Sequence, residues 1–476
     1  MPFAAPLPYG GITPEGRLVL EALAFGVAFL AALSRRSRSS LRPVRVPAAC
    51  LAGLALLGLF QLIPLPSSLL GLLSPRALGI YRAAEETASR MGGPAPAAAR
   101  LSISPAETWH VVLLVLACAA LLVSAFELLR TRLRRRAFFA ALAAAGAFHV
   151  VRAVLARGDG ERLAGPFVNP NHFAGWLGLV LPAALAFVVL AAAGPVSRRR
   201  RPADAAERRL VAVSGAALLW GTLAAGIGLT GSRGGLLSAA VVTTVLLALF
   251  LLFPARRESA PAAPPGALRW LRAHGAWVVT FGAGLLFAVA ASGSGPLLRF
   301  LATDPRDLDS DTRLRLWRLS VDAWRDYPVL GSGLGSFLEA FRPHQPADLA
   351  AHVEWAHSDP LQLLVSGGLL GLGLGLGAFV SLFLGLARAL REQPHREERA
   401  LALAGLGALL FAGLHGLVEF DLSLPAIPAT LACVAGAALA AACWSRHDED
   451  AEASIEAETS AGAGPARTRV VKNARP

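Results

Sequence analysis

The side chains with the clearest chemical potential lie between residues 311 and 360, in a sequence that is otherwise mostly apolar. This segment includes the following arginines and histidines: Arg313, Arg315, Arg318, Arg325, His352 and His357. The arginine fork is permanently charged and binds phosphate oxygens in pairs, and histidine titrates near neutral pH. The combination predicts a site that binds an anionic substrate and moves a proton.

Arg233 and Arg313 are the best candidates for phosphate binding. Arg233 lies in the short turn Thr230–Gly235 between two apolar stretches, where a charge at a membrane edge indicates function. Arg313 stands near a predicted helix start, where the helix dipole disfavours a cation that has no other role. The alternatives are an interfacial arginine that reaches lipid headgroups for Arg233 and a simple helix-start cation for Arg313.

His357 is the candidate general base. It directly precedes a predicted membrane helix at Asp359–Pro360, and its near-neutral pKa suits removal of a proton from a hydroxyl group. A solvated loop histidine is the alternative. His352 and Glu354 can assist or orient it, but their spacing is not typical of metal ligands, so no metal site is predicted.

Further polar residues lie at the ends of predicted spans. Asn171 and His172 begin one helix, and His415, Glu419 and Asp421 close another. These groups either shape a substrate site or form the solvated ends of the helices, and the sequence does not separate the two interpretations.

Composition places the chain in a membrane. Of the 476 residues 55% are hydrophobic and 16% are charged, with a mean hydropathy of +0.54, which excludes an ordinary soluble enzyme. The formal charge of +13 follows from basic residues between apolar runs, as in cytoplasmic connectors of membrane proteins, so no nucleic-acid partner is predicted. The cysteines, Cys50, Cys118, Cys433 and Cys443, have no metal spacing and are predicted to be small buried hydrophobes.

The predicted fold class is an all-α polytopic integral membrane protein with about eleven transmembrane helices, within a range of about ten to twelve. The predicted spans are 18–34, 46–65, 108–129, 137–155, 171–193, 210–230, 235–254, 274–292, 361–386, 401–419 and 425–444. The arginine-rich connectors are assigned to the cytoplasm, with the first span as a signal-anchor. The opposite side then receives the N-terminus and one large extracytoplasmic loop with short helices, 293–360.

That loop has a recognisable internal pattern. Leu314, Trp317, Val321 and Trp324 recur at helical spacing and predict a helix lying at the membrane interface. The alternative for Arg315, Arg318 and Arg325 is that they only contact lipid phosphates from this helix. The glycine-rich stretch before Phe337 predicts a sharp turn, and the glycines of 367–377 predict close helix packing.

The membrane domain is predicted to cover residues 1–445. Residues 446–476 are rich in Ala, Glu, Asp and Ser without periodicity, which predicts a disordered cytoplasmic tail.

Four motifs in this order resemble the O-antigen ligase and polymerase family of bacterial envelope glycosyltransferases. They are Arg162–Gly175 (RLAGPFVNPNHFAG), Thr230–Gly235 (TGSRGG), Arg313–Trp317 (RLRLW) with the later Pro328–Phe337 turn, and His357–Ser358 with the later Gly368. Together they extend over a core of about 160–420, and the last motif resembles the ligase branch.

The resemblance implies an enzyme of the bacterial inner membrane whose active site faces the periplasm, with membrane lipid around it. It implies an undecaprenyl-pyrophosphate-linked glycan as donor, a glycan or lipid A core as acceptor, and no cofactor or metal. His357 is then the base, and Arg233, Arg313 and Arg318 bind the pyrophosphate. Arg162, Asn171, His172, His352, His415, Glu419 and Asp421 are candidates for the rest of the site. A single displacement inverts the anomeric configuration.

Two other functions stay open. A polymerase joins two lipid-linked repeat units by similar chemistry, and a transporter places ionisable residues near the middle of its spans. Neither the sugar, the acceptor nor the oligomeric state is encoded in a recognisable pattern.

Overall fold

The computed structural model describes residues 9–34, 41–94, 98–158, 161–193, 202–252, 310–349 and 353–443. The predicted span 274–292, the first part of the predicted loop 293–360, and the predicted tail 446–476 lie outside these residues.

The described residues form an all-α membrane protein. The helices are α1 (Pro14–Ser34), α2 (Arg42–Leu62), α3 (Ser67–Leu73), α4 (Pro75–Arg90), α5 (Pro105–Leu128), α6 (Arg132–Ala156), α7 (Pro170–Ala193), α8 (Pro202–Thr230), α9 (Arg233–Leu252), α10 (Ser310–Arg325), α11 (Phe337–Phe341), α12 (Asp359–Glu392), α13 (Arg396–Gly416) and α14 (Ala426–Ala442). Nine of them are long and apolar enough to cross a membrane, and α14 is a shorter apolar helix. This confirms the predicted fold class.

Two buried helices, α7 and α13, form the centre of the bundle. They pack against each other, and α8, α9 and α14 contact them from the sides. Trp176, Phe173 and Phe411 are fully buried in this core. Gly178 allows the close approach, since a Cβ atom there would collide with the ring of Phe411. A packed centre of this kind holds the ends of both helices in fixed positions.

Helix α12 is broken at Gly368, which has a φ of 63°. The turn Pro328–Gly333 supplies partners for the backbone groups at the break: Leu369 and Leu370 donate to Pro328 O and Val329 O at 2.9 and 3.1 Å. Buried Gln61 of α2 joins this turn to α12 by donating to Leu330 O at 2.6 Å and to Ser366 O at 3.1 Å. The chain can therefore interrupt a helix here without leaving these polar groups unpaired.

This break corrects the interpretation of the glycines in 367–377. They were predicted to allow close helix packing, and Gly377 does so, because a Cβ atom there would lie 3.1 Å from Cys50 Sγ of α2. Gly368 has another role: its backbone is left-handed, and a Cβ atom there would collide with Val329 O. A glycine that breaks a helix and one that packs it look the same in a sequence.

The predicted apolar stripe of α10 is shifted. Leu314 is 44% exposed, whereas the helix buries Leu316, Ser320 and Ala323. Helix α10 packs against α11 and α12, and Ser320 satisfies its hydroxyl on Leu316 O at 2.8 Å. The small residues Ser320 and Ala323 permit that contact, which hydrophobicity alone did not indicate.

Two further details differ from the sequence interpretation. The connector 66–107 contains helices α3 and α4, which were not predicted, and Ser74 caps α4 by accepting from Ala77 N at 3.4 Å. Cys443 was predicted to be buried, but it is exposed at the end of α14, because the apolar helix ends before it.

We call the end of the bundle where α7, α9 and α12 begin and α8 and α13 end the site end. At the opposite end, the start of α6 is joined to the start of α13 by a buried ion pair. Arg135 Nε lies 2.8 Å from Glu398 Oε2, Arg132 Nε lies 3.2 Å from Glu398 Oε1, and neither Arg135 nor Glu398 is exposed.

Candidate functional site

Glu419, in the turn after α13, is the centre of the polar network at the site end. Its Oε1 accepts from Arg313 Nη2 at 2.8 Å and from Asn171 Nδ2 at 2.7 Å. The Glu419 side chain is 2% exposed and that of Arg313 is 34% exposed. Three segments distant in sequence, α7, α10 and the turn after α13, therefore meet at one carboxylate.

His357 approaches the other oxygen of Glu419. Its Nδ1 lies 3.5 Å from Glu419 Oε2, at the outer limit of a hydrogen bond. Neither atom has a hydrogen-bond partner among the described residues. The His357 side chain is 36% exposed, so a ligand can reach the rest of the imidazole.

The backbone around His357 is held in an uncommon conformation. His357 has a φ of 48°, in the left-handed region. Its carbonyl accepts from Trp317 Nε1 of α10 at 3.3 Å, and the N–H of neighbouring Ala356 donates to Gln362 Oε1 at 2.9 Å. These contacts fix the histidine at the start of α12, so its position depends on α10 as well as on its own helix.

Arg162 connects Glu419 with the turn between α8 and α9. Its Nη2 donates to Asn171 Oδ1 at 2.6 Å, and its Nε donates to Thr230 O at 2.7 Å. The network therefore runs from Arg162 through Asn171 to Glu419 and Arg313. Since Thr230 lies in the same turn as Arg233, Arg162 joins the first two sequence motifs in space.

Beneath this network, Asp421 is buried between two histidines. Its Oδ1 lies 3.0 Å from His172 Nδ1, and its Oδ2 lies 2.5 Å from His415 Nδ1. Gly175 makes room for the carboxylate, because a Cβ atom there would collide with it. This second cluster joins the start of α7 to the end of α13.

Charge explains how these buried carboxyl groups stay ionised. Burial raises the pKa of Glu419, but its approach to His357 and the charges of Arg313 and His415 outweigh this and leave the pKa below its ordinary value. Burial likewise raises the pKa of Asp421, and His415 and His172 reverse the effect and lower it. Both groups are therefore anionic at neutral pH.

Two contributors to this site were missed from the sequence. Asp359 begins α12 and accepts from the N–H of Leu422 at 3.1 Å, and its own N–H donates to Glu419 O at 3.0 Å. The Phe420 ring contacts three other rings: it stacks on Trp355 with centroids 5.0 Å apart, and His172 and His357 meet it edge-on. Polarity next to His357 was the available signal for Asp359, and no spacing indicated the aromatic cluster.

The remaining predicted residues are Arg233, Arg318 and His352. Arg233 is exposed at the start of α9, next to Gly234, whose Cβ position is 3.3 Å from the His415 ring. Arg318 is exposed on another side of α10 from Arg313, since five residues rotate a helix by about 140°. His352 lies outside the described residues. Within the described ranges, no group of three or more His, Cys, Asp and Glu side chains can hold a metal ion.

Comparison with known families gives one finding. Residues 216–376 match the Wzy_C family model, described as O-antigen ligase, over about a third of the chain. No curated protein matches the chain. The matched range includes Arg233, Arg313 and His357, whereas Glu419 and Asp421 lie after it.

The chain therefore carries an O-antigen ligase family domain, which confirms the resemblance in its motifs. The domain match supports a multi-pass membrane protein with a function of the ligase or polymerase type, acting on glycan and lipid-linked substrates in lipopolysaccharide biosynthesis.

Proposed function

We propose that this protein transfers a glycan from an undecaprenyl-pyrophosphate carrier to a hydroxyl group of lipid A core at the periplasmic face of the inner membrane. The observation that carries the proposal is the contact of His357 with Glu419, whose other oxygen binds Arg313. A proton acceptor and a phosphate-binding cation thus share one buried carboxylate. The O-antigen ligase family match supports the same class of reaction.

His357 acts as the general base through Nε2. Ionised Glu419 can only accept hydrogen bonds, so it favours the tautomer with the proton on Nδ1 and leaves a lone pair on Nε2. No described residue hydrogen-bonds that nitrogen. Glu419 also stabilises the imidazolium that forms when the proton is taken, as the acidic member of a catalytic triad does.

Transfer is one displacement. The acceptor oxygen attacks the anomeric carbon, the bond from that carbon to the phosphate oxygen breaks, and the hydroxyl proton passes to His357 Nε2. The electron pair of the broken bond leaves with the pyrophosphate, and the anomeric configuration inverts. The chain's own contribution is to place the hydroxyl next to the base and to hold the leaving group.

Arg313 and Arg233 bind the pyrophosphate. Arg313 is partly exposed, and of its donors only Nη2 is engaged by Glu419, so its fork can bridge Glu419 and a phosphate oxygen. Arg233 is exposed at the start of α9, where the helix dipole also favours an anion. Arg318 carries the least support, because it lies on another side of α10. Arg162 holds Asn171 and the α8–α9 turn in place.

The basic ends of α6 and α13 support a cytoplasmic assignment for the opposite end. Arg132, Arg134, Arg135 and Arg136 begin α6, and Arg396 and Arg399 begin α13. Basic connectors stay in the cytoplasm, so the site end faces the periplasm. A cysteine introduced at Val329, which is exposed at the site end, should react with a membrane-impermeant maleimide in whole cells.

The pyrophosphate assignment is tested with Arg233→Ala and Arg325→Ala. Arg325 pairs with exposed Asp322 on α10 and serves as the control. Purified protein in lipid nanodiscs should transfer glycan from the lipid-linked donor at least tenfold more slowly after Arg233→Ala, which corresponds to about 1.4 kcal/mol. Unchanged transfer by Arg233→Ala at equal protein level would remove Arg233 from the site.

The acceptor decides between ligase and polymerase. A ligase should convert lipid A core into a glycan-bearing product, while a polymerase should lengthen the lipid-linked donor in the absence of core. Product analysis of the same reaction by gel electrophoresis separates the two outcomes.

A further inference from the structure

Trp355 is placed next to the base but takes no part in the proposed chemistry. Trp355 and His357 lie two positions apart in the segment that precedes α12. Both rings contact Phe420: Trp355 lies parallel to it, and His357 meets it edge-on at a centroid distance of 4.9 Å. An indole ring is thus fixed one aromatic ring away from the imidazole.

The segment that carries Trp355 is held rigidly. Val353 packs into the apolar cluster of Leu316 and Phe341, Ala356 N donates to Gln362, and His357 O accepts from Trp317. A segment held by these contacts loses little further backbone freedom when a ligand binds.

Trp355 also differs from its neighbouring tryptophans in its hydrogen bonding. The indole N–H of Trp317 donates to His357 O at 3.3 Å, and that of Trp324 donates to Pro328 O at 3.1 Å. Trp355 is partly exposed, and none of the described residues accepts from its N–H. The indole therefore offers both an apolar surface and a free donor beside the site.

The two oxygens of Glu419 face chemically different groups. Oε1 faces the cation Arg313 and the amide of Asn171, and Oε2 faces His357 and, beyond it, the aromatic cluster. The proposed leaving group binds on the cationic side. The acceptor, which gives its proton to His357, must then approach from the aromatic side.

We propose that Trp355 is a binding platform for a pyranose ring of the acceptor glycan. The electron-rich face of an indole attracts the polarised C–H bonds of a pyranose ring, and the free N–H donates to a hydroxyl group of the sugar. Phe420 supports the indole from behind. This inference rests on the proposed transferase function and adds the acceptor subsite to it.

The experiment compares Trp355→Ala, Trp355→Phe and the control Trp109→Ala, in which an exposed tryptophan at the start of α5 is removed. Full-length protein in nanodiscs is titrated with core oligosaccharide released by mild acid from lipopolysaccharide of the same bacterium, with no donor present. Trp355→Ala should weaken binding about tenfold, Trp355→Phe about threefold, and Trp109→Ala not at all.

Turnover then separates this proposal from the function itself. Trp355→Ala should raise KM for the acceptor about tenfold and leave KM for the lipid-linked donor unchanged. If Trp355→Ala binds the oligosaccharide and transfers glycan as Trp109→Ala does, the platform is wrong while the transferase function stands. If wild-type protein neither binds the oligosaccharide nor transfers glycan to core, both proposals fail.

A role in lipid contact gives a different result. Binding of undecaprenyl pyrophosphate without sugar should be equal in wild type and Trp355→Ala. A loss of this binding, or a rise in donor KM alone, would assign Trp355 to the lipid carrier and overturn the acceptor platform. Size-exclusion and circular-dichroism profiles identical to those of wild type show that each variant is folded.

Discussion

The two ends of the bundle each contain a buried glutamate bound by arginine. They differ in how many of the glutamate oxygens are bonded and in how exposed the arginine is. At the opposite end, both oxygens of Glu398 are bonded, by Arg135 and Arg132, and Arg135 is fully buried. At the site end, Oε1 of Glu419 accepts from two donors, whereas Oε2 has no hydrogen-bond partner among the described residues and lies 3.5 Å from His357 Nδ1. Arg313 is one-third exposed.

The difference separates a structural ion pair from the proposed substrate site. Each oxygen of Glu398 already contacts an arginine, so a ligand would have to displace one of these bonds to reach the carboxylate. At Glu419 the cation and the imidazole each keep an accessible part, which a phosphate group and a hydroxyl group can reach. An arginine and a glutamate thus have different roles according to which of their atoms remain available.

Removing the structural glutamate should have the largest effect on stability. Glu398→Ala leaves the charge of Arg135 buried without its carboxylate, which costs about 3–5 kcal/mol. Thermal unfolding in detergent should show a lower midpoint than wild type. Glu397→Ala is the control. Its partner Arg136 lies 3.8 Å away and is mostly exposed, so the pair contributes at most about 1 kcal/mol. Equal midpoints for both variants would contradict the structural role.

Removing the charge of Glu419 should affect transfer much more than folding. Glu419→Gln keeps the shape but no longer favours the proton on His357 Nδ1 or stabilises the imidazolium, so transfer should fall about 100-fold. The control is Asp348→Asn, which removes the charge from the exposed pair between Arg315 of α10 and Asp348 and should leave transfer unchanged. A Glu419→Gln protein with full activity would show that the carboxylate is only structural.

The sequence predicted only part of these two ends. Hydropathy and basic connectors predicted the described spans, because lipid imposes apolar runs of fixed length. The motifs also indicated Arg313 and His357, and Glu419 was a candidate only as a polar residue at the end of a predicted span. No pattern indicated that Glu419 would join Arg313 to His357. Arg313 and Glu419 lie 106 residues apart, and their contact depends on how α10 packs.

The shifted stripe of α10 and the break in α12 escaped prediction for a related reason. Ser320 and Ala323 are buried where a neighbouring helix packs closely. The left-handed break at Gly368 is tolerated because the turn Pro328–Gly333 accepts from the N–H groups of Leu369 and Leu370. Both features result from contacts between segments distant in sequence, so local periodicity does not predict them.

The broken helix allows a third prediction, specific to the site end. Gly368→Ala forces a side chain into left-handed backbone against Val329 O, which should cost about 1–3 kcal/mol and displace His357. Gly373→Ala in the same helix is the control, since its Cβ would meet nothing within 4 Å. Thermal unfolding and transfer should both decline in Gly368→Ala alone. Equal behaviour of the two variants would show that the break does not position the site.

The smallest expected effect is a pH dependence of stability. The pKa of Glu419 is lower in the folded protein than its ordinary value of 4.5, so ionised Glu419 stabilises the fold above that value. The contribution should be lost as the pH falls through the folded pKa. Thermal midpoints measured from pH 7 downward should fall more steeply below about 4.5 for wild type than for Glu419→Gln. Parallel curves would mean that Glu419 does not contribute through its charge.

The most direct test of the account is the transfer activity of His357→Ala against that of His344→Ala. His344 lies at the same end, with Nε2 3.0 Å from Asp326 Oδ2, but outside the Glu419 network. Purified in nanodiscs with lipid-linked donor and lipid A core, His357→Ala should be about 100-fold to 10,000-fold slower than wild type, and His344→Ala should be unchanged. Equal transfer by His357→Ala and wild type, with both proteins folded, would contradict the assignment of His357 as the base.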